Sequence, residues 1–344
     1  MATVGDIFES GQSYYDMAFA VSDTDENEIY TGVLNVRKGV VSTTTNQASF
    51  TKINNWSSPA SSTYTHADIH FMRFYEGELL VGSDGGFYKS DNAAVSFSDF
   101  TGGMQIGQFY RIAVSKQSSD KLMGGLQDNG GHAYSNNTWQ NYYGADGMDT
   151  AIDPNNSNNY YGFIQFGGGL YLSNSSGASA NGSIGAPDAE TNDATNDSGG
   201  NWITPLVMNS DGELYAGYSS LYKLENNSWT QISPNFGNNF NIDVLEIDES
   251  NTNTIFIALN SSLRKSTDRG ITFNVIETFS VNITSIEVNT QDSNIVYVTT
   301  SEQMVKCTNR MMVVKTLPIF HQGYHRLLKT HSSIRIYTLR THYI

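Results

Sequence analysis

The feature that most constrains this chain is an internal period. An apolar alternating strand, a polar turn, a second strand of the form I-Y-x-G and a third ending in aromatic-Lys/Arg-Ser recur as one unit. The copies begin DMAFAVSDTDENEIYTG at Asp16, DIHFMRFYEGELLVG at Asp68, FYRIAVSKQSSDKLMGG at Phe109 and DTAIDPNNSNNYYG at Asp149. They continue with ITPLVMNSDGELYAG at Ile203, IDVLEIDESNTNTIFIA at Ile242 and ITSIEVNTQDSNIVYVT at Ile283. Successive starts lie 52, 41, 40, 54, 39 and 41 residues apart. That length holds four short strands, the size of one propeller blade, and a unit so small cannot bury its apolar face alone. Seven copies therefore predict an all-β, seven-bladed β-propeller.

Composition agrees with many short strands joined by tight turns: 31 Gly, 20 Tyr and 17 Phe stand against 6 Pro, with frequent Asn-Gly, Asp-Gly and Asn-Asn pairs. No run is apolar for long enough to span a membrane. The first residues, MATVGDIFESGQSYYD, show neither a basic start nor an apolar segment of signal-peptide length, so we expect either a cytosolic protein or a fragment of an exported one. A net charge of −15 argues against a nucleic-acid partner, because phosphate binding relies on Lys and Arg. The single cysteine, Cys307, excludes a disulfide framework.

A turn motif follows several third strands. Ser266-Thr267-Asp268-Arg269-Gly270-Ile271-Thr272-Phe273 is a full S-x-D-x-G-x-x-aromatic copy, Ser90 to Phe97 is a worn one, and Asn227-Ser228-Trp229 keeps the aromatic end. In such a turn the carboxylate ties down backbone N–H groups, which makes it a mark of the fold rather than a site. With these turns, the runs YYDMAFAVS, THADIHFM, VGSDGGFYKS, QFYRIAVSKQ, GGLQDNGG and GADGMDTAIDP follow in order. The chain thereby resembles the Asp-box (BNR-repeat) β-propellers of the sialidase, sortilin and xyloglucanase type, and most nearly secreted bacterial glycosyl-hydrolase-like repeat proteins. The resemblance covers roughly residues 10–303. It implies a module of a larger polypeptide, extracellular or at the cell surface, that recognises a glycan or protein ligand; the alternative it implies is a glycoside hydrolase related to xyloglucanases.

The last repeat breaks off. Residues 1–303 hold 12 basic and 34 acidic groups, net −22, whereas no acidic residue follows Glu302 and seven basic ones do. With permissible third codon bases, shifting the reading frame across Met311-Met312 turns the segment from Met304 into a strand followed by a complete S-x-D-x-G-x-x-aromatic turn. We therefore read 1–303 as the propeller with its last blade incomplete, and 304–344 as an aberrant basic tail produced by a frameshift, lacking the third strand.

The candidate site residues fall in three groups. His66, Asp68 and His70 alternate, so in an extended strand they would share one face. No further histidine completes a metal set in the body, so we expect no metal and no cofactor, and read the three as a buried hydrogen-bond network in which Asp68→Asn should cost about 1–3 kcal/mol. Asp84 and Asp128 follow second strands in GSDGGFY and LQDNGG, and Asp146 and Asp149 precede a first strand in GADGMD. Asp84-Gly85-Gly86 resembles the T-D-x-G-G segment that carries a catalytic aspartate in the xyloglucanase branch, with Ser83 in the threonine position. The resemblance thus implies Asp84 as catalytic, with Asp146, or else Asp128 or Asp149, as its partner in acid/base hydrolysis. Sialidase chemistry needs three arginines around a carboxylate, and the body has only Arg37, Arg73, Arg111, Arg264 and Arg269, three of them in outer-strand or turn positions. For binding, the aromatic pairs beside Gly- and Asn-rich loops, Tyr14-Tyr15, Tyr142-Tyr143 and Tyr160-Tyr161, with Phe163, Phe166 and Phe236, are expected to offer exposed rings to a ligand. His66, Asp68, His70, Asp128, Tyr142 and Tyr143 are the ligand-binding candidates. The stretch from Ser173 to Asn201 accounts for the 54-residue spacing and is expected to be a surface loop.

Overall fold

The computed structural model describes residues 13–104, 106–192, 197–237, 240–301 and 310–315. These contain strands and short 3-10 turns but no α-helix. The first blade is β1 (Ala18–Val21), β2 (Glu28–Gly32), β3 (Val36–Val41) and β4 (Ala48–Lys52), hydrogen-bonded in chain order. The second is β5 (Ile69–Tyr75), β6 (Glu78–Ser83), β7 (Gly86–Ser90) and β8 (Ser98–Asp99). Next come β9 (Phe109–Val114), β10 (Leu122–Leu126), β11 (Gly130–Ser135) and β12 (Thr138–Tyr143). The fourth blade is β13 (Gly147–Ile152), β14 (Tyr160–Ile164), β15 (Gly169–Ser173) and β16 (Gly182–Gly185), followed by a two-stranded ribbon of β17 (Thr191–Asn192) and β18 (Asp197–Ser198). The fifth is β19 (Leu206–Met208), β20 (Leu214–Gly217), β21 (Leu221–Glu225) and β22 (Ser228–Gln231), and the sixth β23 (Val244–Ile247), β24 (Ile255–Leu259), β25 (Ser262–Ser266) and β26 (Asn274–Thr278). The seventh has three strands, β27 (Ile283–Val288), β28 (Ile295–Thr300) and β29 (Arg310–Lys315).

One antiparallel meander per repeat, seven times over, is the blade series of an all-β, seven-bladed propeller whose last blade is incomplete among the described residues. Two expectations need correction. The seventh unit has a third strand, β29, paired with β28 from Ile295↔Lys315 to Thr300↔Arg310. The rest of the 304–344 tail lies outside the described residues. The stretch from Ser173 to Asn201 is also more than a loop, since it supplies β16, the fourth strand of its blade, and the ribbon.

The chain divides into two compact units: residues 1–108 with 127–129, and residues 109–126 with 130–344. In the first, Tyr30, Val36, Ile69, Met72, Leu79, Val81 and Tyr88 form the core. In the second, separate clusters repeat between successive blades, one of them built on Tyr215, Leu221, Ile242, Leu245, Ile255 and Ile257. Second strands such as β24 are buried along their whole length, which is why they read as apolar runs and not as alternations. The glycine that ends I-Y-x-G has a packing cause. A Cβ on Gly32 would lie 2.5 Å from Ile69, and one on Gly217 would lie 2.8 Å from Ile242, each an apolar residue at the start of the next repeat.

The S-x-D-x-G turn is tied as its chemistry predicts. Ser266 Oγ accepts the Gly270 N–H at 2.8 Å and donates to Asp268, whose carboxylate also accepts the N–H and hydroxyl of Thr272. The worn copy keeps the same plan with Asn92 for aspartate: Ser90 Oγ accepts the Ala94 N–H, and Asn92 accepts the Ser96 N–H. A third copy, hidden in the expected loop, has Ser173 Oγ accepting the N–H groups of Ser175 and Gly177.

Candidate functional site

The first unit gathers five other titratable side chains around Asp84. Asp84 and Gly85 form the two-residue turn between β6 and β7, closed by the pair Ser83↔Gly86. The 127–129 turn between β10 and β11 occupies the corresponding place in the next repeat and brings Asp128. From the start of the second repeat come His66, Asp68 and His70, and from the start of the first comes Asp16.

His70 Nε2 lies 2.7 Å from Asp84 Oδ1 and 3.5 Å from Asp16 Oδ1. The Asp16 side chain is 2% exposed, while the His70 and Asp84 side chains are 31% and 25% open, so the group has one buried and one accessible side. His66 Nε2–H donates to the Asp128 carbonyl at 3.0 Å. Gly85 permits this arrangement: a Cβ there would fall 2.0 Å from the His66 ring. Gln127 Nε2 reaches Asp84 Oδ2 at 3.5 Å, and the Asp84 N–H donates to the Asp68 carbonyl at 3.2 Å.

Asp68 departs from the expected network. It does not belong to the extended strand but precedes β5 in the left-handed region, with φ of 60°, so His66, Asp68 and His70 do not share a face by strand alternation. Its Oδ1 is buried without a hydrogen-bond partner. Burial, then the charges of Asp16 and Asp84, push its carboxyl up from 3.8 to about 6, and the two histidines offset only part of that. The carboxylates of Asp68, Asp84 and Asp128 each place an oxygen within 4.8 Å of the others. Such an all-oxygen trio has the donor chemistry of a hard cation site, and relief of mutual repulsion is what a bound cation would provide.

The remaining candidates have other surroundings. Asp149 is used internally: its oxygens accept the N–H groups of Thr150 and Leu206 at 2.9 and 3.1 Å, and burial pushes its carboxyl up to about 6. Asp146, just before β13, belongs to the second unit. Tyr142 and Tyr143 are not exposed rings. They are 8% and 5% exposed, and Tyr143 stacks on Tyr171 and donates to the Phe163 carbonyl. They are the last two residues of β12, both buried after four exposed ones, at the end where the register with β11 shifts, and they belong to a core cluster with Met123, Ile152 and Tyr160. Tyr160 and Phe163 are fully buried as well. Tyr14 and Tyr15, in contrast, are 88% and 74% exposed, and the Tyr15 ring meets His70 edge-on at 5.1 Å.

Sequence reasoning passed over Asp16 and Gln127. A signal for the first existed, since Asp16, Asp68 and Asp149 all open a repeat and all three turn inward to polar work.

No family model and no curated protein matches the chain. Among solved structures, the GH74 xyloglucanase from Xanthomonas campestris is similar over 89% of this chain and 52% of its own, at 14% identity and a TM-score of 0.46. An ancestral GH74 enzyme is similar over 70% of this chain and 35% of its own, at 15% identity and a TM-score of 0.48. The WD40 β-propeller domain of Doa1 is similar over 83% of this chain and 90% of its own, at 13% identity and a TM-score of 0.42. The chain thus spans about half of the first of these structures and about a third of the second. The assignment of the fold rests on the strand topology.

Proposed function

We propose that this propeller recognises a saccharide at the Asp84 cluster, as an extracellular or cell-surface module of a larger polypeptide. The observation that carries the reading is the half-open His70–Asp84 pair with the exposed Tyr15 ring against its edge. A sugar offers hydroxyl donors to carboxylates and an apolar C–H face to a ring, and this corner presents both. Four aspartates against two histidines disfavour an anionic ligand, which narrows the class to neutral or cationic polyols. The location and the larger polypeptide follow from the resemblance of the repeat motifs.

A second reading, glycoside hydrolysis, is favoured by one specific feature. Asp68, its carboxyl raised to about 6, lies with Asp84 in one group of carboxylates, and acid/base cleavage requires a neighbouring pair of carboxyls one of which holds a proton. Binding of neutral oligosaccharides by the wild type and by Asp84→Ala, with product analysis on the same samples, tests both readings. Recognition predicts binding without cleavage and at least tenfold weaker binding by the variant. Cleavage by the wild type that the variant abolishes would establish the hydrolase instead, and wild-type levels of binding by Asp84→Ala with no cleavage by either protein would sink both.

A further inference from the structure

The second unit carries a separate cavity that neither reading uses. It has a volume of about 550 Å³, within the range of small-ligand sites, and lies over the outer strands of the fourth blade. Register explains its construction. Tyr161 on β14 is opposite Leu172 on β15, and Leu172 is opposite Gly182 on β16. Residues opposite one another share a face, so the three form one row across the sheet, with Asn159 and Asn174 two residues further along the same face. Tyr161 and Leu172 make an apolar floor, half-buried against the core of the unit. Gly182 keeps it open: a Cβ there would meet nothing within 4 Å.

The rim is amide. Asn174, Asn181 and Asn159 border the floor, and Asn227, from the turn between β21 and β22, faces them from the next blade. Some of this hydrogen-bonding capacity is already used: Asn181 Oδ1 accepts the Asn174 N–H at 2.7 Å, and Asn159 donates to Asp153. The side-chain amides of Asn174 and Asn227 have no partner among the described residues. The Trp229 indole N–H donates to the Gly185 carbonyl at 3.0 Å and so fastens the fifth blade to one wall. No charged side chain lines the cavity.

We propose that this groove is a second, neutral-saccharide subsite. An apolar floor one ring wide takes the C–H face of a pyranose. Amides serve as donor and acceptor at once, which matches hydroxyls, while a phosphate, sulfate or carboxylate would find no cation to pair with. The inference rests on the saccharide reading but concerns a different blade and different residues.

The test uses the full chain and a panel of neutral tetrasaccharides with cellulose, xylan, starch and chitin linkages, measured by titration calorimetry. Four proteins are compared: wild type, Asp84→Ala, the exposed pair Asn174→Ala with Asn227→Ala, and the triple variant, with melting temperatures showing that each is folded. The expected result is that Asp84→Ala retains binding of at least one tetrasaccharide, and that the triple variant weakens this residual binding at least tenfold. Loss of all binding in Asp84→Ala alone would overturn the groove and leave the first site standing. Residual binding untouched by the two asparagine changes would also overturn it. Absence of binding by the wild type would remove both sites together.

Discussion

Asp68→Asn should stabilise the protein at neutral pH, the opposite of what a satisfied buried network would give. The carboxyl has an ordinary value of 3.8 and is pushed up to about 6 by burial and by Asp16 and Asp84. Below about 3.8 Asp68 is protonated whether the chain is folded or not, and it contributes nothing. As pH rises the unfolded chain ionises first, and above about 6 the folded state bears the full penalty. At about 1.4 kcal/mol per pH unit the shift corresponds to about 3 kcal/mol. The side chain is half-buried, so solvent screening reduces this to about 1–2 kcal/mol. Asparagine is nearly isosteric, tolerates the left-handed backbone at this position, and removes the charge. Urea unfolding at pH 3 and pH 7.5 should therefore show the variant equal to wild type at the lower pH and about 1–2 kcal/mol more stable at the higher. The measurement belongs in a chelator, because a cation held by Asp68, Asp84 and Asp128 would relieve the same repulsion. A variant less stable than wild type at pH 7.5, or a difference identical at both pH values, would refute the reasoning.

Three further outcomes are expected. Gly85→Ala places a Cβ 2.0 Å from the His66 ring, so the imidazole must leave the Asp128 carbonyl; the cost should be about 1–3 kcal/mol with loss of saccharide binding, and an unchanged His66 NMR signal would count against it. Ser266→Ala strips the buried Gly270 N–H of its acceptor and should cost about 1–3 kcal/mol in denaturation; Asp268, held down at about 2 chiefly by Thr272, adds stability that is present above its ordinary value and is lost as pH falls through about 2. Glu246 is pushed up to about 8 by burial and by Glu287 and Glu249, with Lys116 offsetting part, so the folded protein loses stability as pH rises from about 4.5 to about 8; Glu246→Gln should gain on wild type steadily over that window, and a pH-independent difference between the two would contradict the assignment.

The fold was legible because its cause is periodic. Each repeat must bury one apolar face against the next, and the 39-to-54-residue spacing, the Gly32 and Gly217 positions and the serine turns all express that one requirement. What escaped was local. The turn at Ser173 has serine where the motif has aspartate, so the tie made by the first serine's hydroxyl survives while the most recognisable letter is gone. Tyr142 and Tyr143 sit beside Gly144, which suggested a loop edge, yet β12 runs to Tyr143 and the rings turn into the core. Composition near a glycine does not reveal which side of the last strand residue faces water.

The site was legible as a set of residues and not as a geometry, and the reason bears on function. Asp84 and Asp128 stand at equivalent turns of successive repeats, and Asp16 and Asp68 at equivalent starts, so periodicity alone brings carboxylates together. Folding gains nothing from that convergence. It raises one carboxyl to about 6, leaves one oxygen without a partner, and places an aspartate in a backbone region that favours glycine or asparagine. Stability alone would favour asparagine at position 68. Groups that cost folding energy and remain accessible from one side are the ordinary signature of a working site, where activity is kept at the expense of stability. The same Asp68→Asn protein therefore decides between scaffold and site: a gain in stability accompanied by weaker saccharide binding places Asp68 in the site, and a gain with binding unchanged confines function to His70, Asp84 and the tyrosine beside them.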